Sequence, residues 1–287
     1  MTEQPKGPAP GGREWLGEFT AAELSNEAYH EAPGISKSHL DTIASGSPRH
    51  YWQEYINPER PARHETPALV LGNAIHAAIL QPSLFKTRYA AIPQGLDKRK
   101  KDDKLIWEQF KRDNVGKTHL DHSEYQICLR AIDAVQKHPV ARGLFQGGIP
   151  EHSFFCIDPE TKALRKCRVD YLTDDYVIDV KSTLDANEEA FSRDATNLRY
   201  DVAVPWYLDT IDLTRGLARP RKWIWVSIEK AEPFAIGIYY AQSQDIITAR
   251  DCARKNFRTI LRHRELNEWP DYGEVMRPLT LKPWAKR

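Results

Sequence analysis

The texture of the chain turns to strands in three consecutive segments of its second half, Glu151 to Ile157, Leu164 to Leu172 and Tyr176 to Lys181. Apolar and polar positions alternate with a period of two in the latter two. In Tyr176-Val177-Ile178-Asp179-Val180-Lys181, Ile178 and Val180 point into a core while Val177, Asp179 and Lys181 share the opposite face. In the strand before it, Cys167, Val169 and Tyr171 fall on one face and Arg168 and Asp170 on the other. Thr173-Asp174-Asp175 is turn chemistry. If Asp174-Asp175 form a two-residue loop, Thr173 faces Tyr176 and Asp170 falls opposite Asp179, with Cβ atoms roughly 4.5–5.5 Å apart. Two carboxylates that close repel unless a cation bridges them.

Elsewhere the period lengthens to that of helices. Ser36 to Ala44 predicts a short helix with Ser36 as N-cap, and Arg49 to Tyr55 begins another. Thr66 to Leu80 is a strongly apolar helix stopped by Gln81-Pro82. Residues 97 to 104 form a mixed charge cluster that leads into a helix around Leu105 to Arg112, and Glu124 to Lys137 is amphipathic. After the three strands come a helix from about Ala186 and another from Tyr200 to Ile211. Strand-like runs follow at Lys222 to Ile228 and Phe234 to Tyr240, then a long helix from Ser243 to Leu266. This order predicts an α/β fold whose central sheet carries the acids. Residues 1–13 read as a disordered tail and 14–287 as one domain. Within it, 14–120 form a helical elaboration, 121–267 the α/β core and 268–287 a C-terminal tail.

Composition narrows the function classes. Charged residues make up 28% of the 287 and hydrophobic ones 41%, as in an ordinary globular protein. The net charge of +1 gives no global nucleic-acid signature, so a nucleic-acid site must be a local patch. No run has the length of a membrane span and the N-terminus carries no signal-peptide pattern, so a cytoplasmic location and no membrane partner are expected. The four cysteines, Cys128, Cys156, Cys167 and Cys252, form no C-x-x-C pair and no zinc-finger spacing with histidine. That weighs against a structural zinc or a four-cysteine cluster; Cys156 and Cys167 read as small buried hydrophobes.

Candidate chemistry centres on acid-x-Lys. The pattern occurs as Asp102-Asp103-Lys104, Glu160-Thr161-Lys162 and Asp179-Val180-Lys181, and only the third lies in a strand. Glu151, just after Gly147-Gly148-Ile149-Pro150, adds a third carboxylate to Asp170 and Asp179, a set suited to magnesium or manganese. His76 sits on the otherwise apolar helix, where a lone histidine is more often a satisfied core residue than a metal ligand. Gly72, four residues earlier, costs that helix about 1 kcal/mol against alanine and would permit close approach of a backbone or of DNA. Tyr200 and Tyr207, two turns apart, share a face, though core aromatics would do the same. Lys98 to Lys101 and Arg215 to Lys222 are basic stretches that could track phosphates, but a charge run is usually a solvated face, and Trp223 and Trp225 read as packing residues.

From about Tyr29 to Leu266 the chain resembles the RecE-type exonucleases, the exonuclease VIII nuclease domain, of the PD-(D/E)xK superfamily. The resemblance rests on Tyr29-His30 with Gly34-Ile35-Ser36-Lys37-Ser38, and on Ser47-Pro48-Arg49-His50-Tyr51-Trp52. It continues through Leu71-Gly72-Asn73-Ala74-Ile75-His76, the segment from Asp97-Lys98-Arg99-Lys100 to Gly116-Lys117-Thr118, Arg168-Val169-Asp170-Tyr171 and Ile178-Asp179-Val180-Lys181-Ser182-Thr183. It implies a restriction-endonuclease-like core, a mixed central sheet flanked by helices. It further implies His76, Asp170 and Asp179 as metal ligands for Mg2+, with Mn2+ substituting. Glu151 would be an active-site acid, and Lys181 would orient or activate the attacking water. Tyr207 matches the tyrosine of a helical Gln-x-x-x-Tyr motif, but Ala203 stands where the glutamine would be and Pro205 interrupts the helix. The implied function is hydrolysis of double-stranded DNA ends, 5′ to 3′, in phage-type recombination. A RecT-like annealing protein and a homo-oligomer are the implied partners. Ala203 leaves open a catalytically impaired DNA-binding protein, and an endonuclease or nickase would use the same fold. Iron–sulfur nucleases of the superfamily fit less well, because the cysteines do not bracket the core.

Overall fold

The computed structural model describes residues 9–12, 14–61, 65–96, 100–273 and 275–279. Its centre is a six-stranded mixed sheet of β1 (Gly17–Phe19), β4 (Ile149–Ile157), β5 (Leu164–Leu172), β6 (Tyr176–Thr183), β7 (Lys222–Glu229) and β8 (Ile236–Tyr240), side by side in that order. All neighbours are antiparallel except β6 and β7, whose parallel register sets Asp179 against Trp225. The short strands β2 (Tyr89–Ala91) and β3 (Thr118–Leu120) pair in parallel away from it.

Helices cover both faces, which is why β6 is apolar on both sides. On one face lie α2 (Lys37–Ser45), α10 (Tyr200–Arg215) and α11 (Ser243–Leu266). Leu40, Val202, Trp206 and Phe257 pack there against Val169, Val177, Trp223 and Trp225. The other face carries α4 (Pro67–Leu80), α5 (Pro82–Arg88), α7 (His122–Lys137) and α8 (Pro139–Leu144). Their residues Ile75, Ala78, Phe85 and Cys128 meet Ile178, Val180 and Val226. The remaining helices are α1 (Asn26–Glu31), α3 (Pro48–Tyr51) with a π-turn at Trp52–Ile56, α6 (Lys101–Asp113) and α9 (Glu188–Asn197).

Caps explain the helix starts. The Thr66 side chain accepts from Leu69 N with Pro67 in the first turn, and Asp121 and Glu124 form a capping box that starts α7 two residues before Glu124. Two expectations shift. Residues 1–8 of the N-terminal tail lie outside the described residues, but Pro10–Gly12 form a 3-10 turn and Ala9 is buried beside Phe19, Leu24 and Tyr29. Residues 97–99 of the charge cluster also lie outside them, while Lys101 already begins α6.

At Gly72, α4 passes close over β6. A Cβ added there would lie 3.7 Å from Ser182 Oγ, an ordinary contact, so the approach does not require glycine. Gly72→Ala should therefore leave melting unchanged or raise stability by up to about 1 kcal/mol through helix propensity. A loss above that, measured by denaturant unfolding, would contradict the packing described.

Candidate metal and catalytic site

The β5–β6 hairpin turns through two residues, with Thr173 N donating to Tyr176 O at 2.9 Å. Its ladder pairs Leu172 with Val177 and Tyr171 with Ile178, a register that aims Asp170 at Asp179. There pairing stops and the strands fork, β5 continuing against β4 and β6 against β7. The amide of Val180, left without a strand partner at the fork, donates to Asp170 Oδ2 at 2.7 Å. The β4–β5 ladder likewise skips one row, passing from Pro150–Tyr171 to His152–Val169 over Glu151 and Asp170. Glu151, Asp170 and Asp179 thus lie in one row across three strands.

Two local distortions accompany this row. Glu151 has φ +52°, a left-handed conformation that costs a non-glycine residue about 1 kcal/mol or more. Strict alternation also fails at Asp170: Val169 packs on the α10 side and Tyr171, two residues later, on the α4 side. The expectation that Cys167, Val169 and Tyr171 share one face is therefore corrected for Tyr171. The turn before Glu151 is held by Gly148. Its N–H donates to the Tyr171 hydroxyl at 2.9 Å, and a Cβ there would fall 2.4 Å from the Tyr171 ring.

His76 reaches the row from α4, one turn beyond Gly72. Its Nδ1 lies 3.5 Å from Asp170 Oδ2, and ligand atoms of His76, Glu151 and Asp170 all fall within 4.8 Å of one another. Arg168 Nε donates to Glu151 Oε2 at 2.8 Å while its NH1 donates to Leu24 O and Ser153 Oγ, so the acid is oriented by a guanidinium itself pinned in place. Asp179 stands outside this group because β6 turns its side chain toward the α10 face, where its Oδ1 accepts from Lys181 Nζ. The Lys181 ammonium sits 4.9 Å from the centre of the Tyr200 ring, and a cavity of about 140 Å3 lined by Ser182, Leu184, Leu198, Tyr200 and Lys230 opens beside it. Tyr200 and Tyr207 divide their work: Tyr207 packs edge-on to Trp223 with ring centres 5.5 Å apart.

Electrostatics mark the cluster. Burial first, then the neighbouring Asp179 and Glu151, push the Asp170 carboxyl up to about 7 against the opposing pull of His76 and Lys181. For Lys181 burial alone would lower the value, but Asp179 and Asp170 outweigh it and hold the ammonium above the ordinary lysine range. The Tyr207 phenol is kept well above its usual value by burial and by Tyr29, Cys167 and both aspartates, so it remains a donor. Three carboxylates face Lys181, the Arg168 guanidinium and an imidazole, so one negative charge is left over when all three acids ionise. A divalent cation would relieve that surplus, and two oxygen ligands with one nitrogen are donors that Mn2+ or Mg2+ accepts. His76→Ala should weaken Mn2+ binding on the order of 100-fold in titration calorimetry, given that even outer-sphere partners are worth 10–100-fold. Unchanged affinity would remove His76 from the ligand set.

Arg168 and Val180 N–H were not assigned roles from sequence; only the fork shows what they hold. Ala203 is buried in the α10-side core at 6% exposure, and the helix runs on through Pro205. The basic stretch Arg215 to Lys222 is largely spent on acids: Arg215 binds Glu18, Arg219 binds Asp174 and Asp175, and Arg221 binds Asp212.

Residues 36–278 match the family described as PDDEXK-like domain of unknown function (DUF3799). The chain belongs to this family. Among solved structures it is similar to a candidate exonuclease from Eubacterium rectale, with a TM-score of 0.61 at 15% identity over 93% of this chain and 98% of that one. A second structure, SSO0001, aligns over 65% of this chain and 85% of its own at 14% identity with a TM-score of 0.28, and supports no conclusion. No curated protein matches by sequence. The DUF3799 match and the forked mixed sheet place the chain in the PD-(D/E)xK nuclease superfamily, with the α/β core flanked by helices that its sequence led one to expect. Among the described residues of this DUF3799 chain, no helix is long and apolar enough to cross a membrane.

Proposed function

We propose that the protein is a divalent-metal-dependent exonuclease of the RecE type, hydrolysing double-stranded DNA from its ends, 5′ to 3′, in phage-type recombination. The observation that carries a nuclease reading is the convergence of His76, Glu151 and Asp170 beside the Asp179–Lys181 pair at the fork of β5 and β6. His76, Glu151 and Asp170 would hold the metal, with Asp179 next in the row. When bound, the metal supplies positive charge that polarises the scissile phosphate and stabilises the leaving oxygen. Lys181, kept protonated by its two aspartates, orients the attacking water and offsets charge that develops on the phosphate. Tyr207 keeps its phenol protonated in the field of the two aspartates, where it would be available to a substrate as a proton donor. Polarity, magnesium as the resident ion, a RecT-like partner and a homo-oligomer belong to this proposal through the sequence resemblance.

Digestion of end-labelled linear duplex beside covalently closed circular DNA, with Mg2+, Mn2+ or EDTA, tests it. Metal-dependent loss of the linear species alone, with the 5′ label released first, is the expected result. Cutting of the circle would establish an endonuclease instead. A second reading, a DNA-binding protein with impaired catalysis, draws on Ala203, since a buried alanine cannot orient Lys181 or a phosphate as an amide would. It requires that no metal support cleavage while DNA still binds.

A further inference from the structure

Helix α11 buries Ala249, Ala253, Phe257 and Ile260, each 3% exposed or less, and turns a different stripe outward. Along that outer side Arg250, Arg254, Arg258 and Arg262 recur every four residues, which sets them in one row at steps of about 6 Å. Six Lys and Arg residues stand against three acids in this helix, whereas the whole chain carries only +1. Arg250 is held by Asp209 at 2.9 Å and Arg258 by Glu160 at 2.6 Å, the latter between side chains that are both more than half exposed. Arg254, Lys255 and Arg262 are exposed and have no acidic partner among the described residues; Asp251 is the acid beside them. This contrasts with Arg215 to Arg221, where acids have taken the charge. Exposed surface pairs contribute little to stability, and unpaired arginines in a row contribute less, so the row is not explained by the fold.

The row also has a direction. Arg250 meets Asp209, and Phe257 meets Trp206 with ring centres 5.1 Å apart, so α11 runs antiparallel to α10. Arg262 therefore lies toward the end of α10 that carries Tyr200, beside Lys181, and Arg250 toward the far end. We infer that the outer row of α11 is a track for the phosphate backbone of one nucleic-acid strand, engaged by Arg254, Lys255 and Arg262 with Arg258 exchanging Glu160 for phosphate. A single line of planar, fixed-charge guanidinium forks about 6 Å apart suits successive phosphates of one strand and reads no base. The inference extends the nuclease reading by giving the substrate or product strand a path away from the catalytic cluster.

The test compares the full chain with Arg254→Gln/Lys255→Gln/Arg262→Gln. Anisotropy of a labelled single strand, and of the same strand as duplex, is measured in EDTA across a salt series. Hydrolysis of the p-nitrophenyl ester of thymidine 5′-monophosphate, too short to reach α11, is measured with Mn2+. The expected result is about a tenfold or greater loss of binding at low salt and a salt slope reduced by about 2–3, because each lost phosphate contact removes roughly 0.7–0.9. Ester hydrolysis stays at the wild-type rate. Loss confined to single strand or to duplex would support the track and assign the form it carries. Unchanged affinity and slope on both would overturn it. If the wild type hydrolyses neither DNA nor ester yet the variant still loses binding, the nuclease reading fails and the track stands.

Discussion

Replacing Lys181 with methionine should lower cleavage of DNA by about a thousandfold, the range associated with one preorganised charge or proton donor at a reacting phosphate. The substitution keeps most of the stem that packs against Tyr200 and removes only the ammonium. It also strands Asp179, which is 8% exposed and whose Oδ1 takes its hydrogen bond from Lys181. Leaving a buried acceptor unpaired costs about 1–3 kcal/mol, so the single variant should unfold earlier in denaturant. Adding Asp179→Asn neutralises the stranded charge and should restore most of the stability without restoring cleavage. Because Asp179 belongs to the same row, the double variant reports on stability alone, and the role of Lys181 in cleavage is read from the single variant under conditions where it stays folded. Cleavage by Lys181→Met within tenfold of the wild-type rate would end its assignment.

Asp170→Asn should make the metal-free protein more stable at pH 8. The Asp170 carboxyl titrates at about 7 in the folded chain against 3.8 for an unperturbed one. A folded value raised above the unfolded one means that stability is highest below about pH 4. It then falls as pH rises toward 7 and stays low beyond it. The full difference corresponds to at most about 4 kcal/mol. Asparagine has nearly the same shape, can still accept from Val180 N–H, and never ionises. If about 2 kcal/mol of the difference is recovered, melting in EDTA at pH 8 should rise by about 4–8 °C, and the gain should vanish near pH 4. Mn2+ should stabilise the wild type and not the variant, because binding to the folded state alone adds stability. A variant less stable than wild type in EDTA at pH 8 would show that the carboxylate is satisfied without a cation.

How much of this could be read from the chain differs by element. The β5–β6 hairpin was legible in its extent and in the register that Asp174-Asp175 fix, but not in the face of Tyr171, where alternation slips. The long helices were legible from their apolar period, to within a few residues where a cap such as Asp121 lies outside the apolar pattern. Strands β1, β2 and β3 are three residues each, too short for any period to emerge. The site was legible in its residue types and illegible in its grouping. The sequence resemblance implied His76, Asp170 and Asp179 as the ligands, but the fork brings His76, Glu151 and Asp170 together and turns Asp179 to Lys181. That grouping depends on the left-handed backbone at Glu151 and the slipped alternation at Asp170, neither of which has a local signature. Arg168 was invisible for a related reason, because its partners are 144, 17 and 15 residues away along the chain.

The parallel pairing of β6 with β7 bears on how the protein is made. β6 can zip onto β5 as soon as their two-residue turn has left the ribosome, since hairpin contacts are local. Its other edge must wait for β7, and the connection between Thr183 and Lys222 carries both α9 and α10. Pairings across such a long connection form late, because the intervening chain must be ordered first. During synthesis the two aspartates therefore meet well before Tyr200 closes over Lys181. A growing chain passes through a stage in which the two acids are already paired while the face that holds Lys181 is still open.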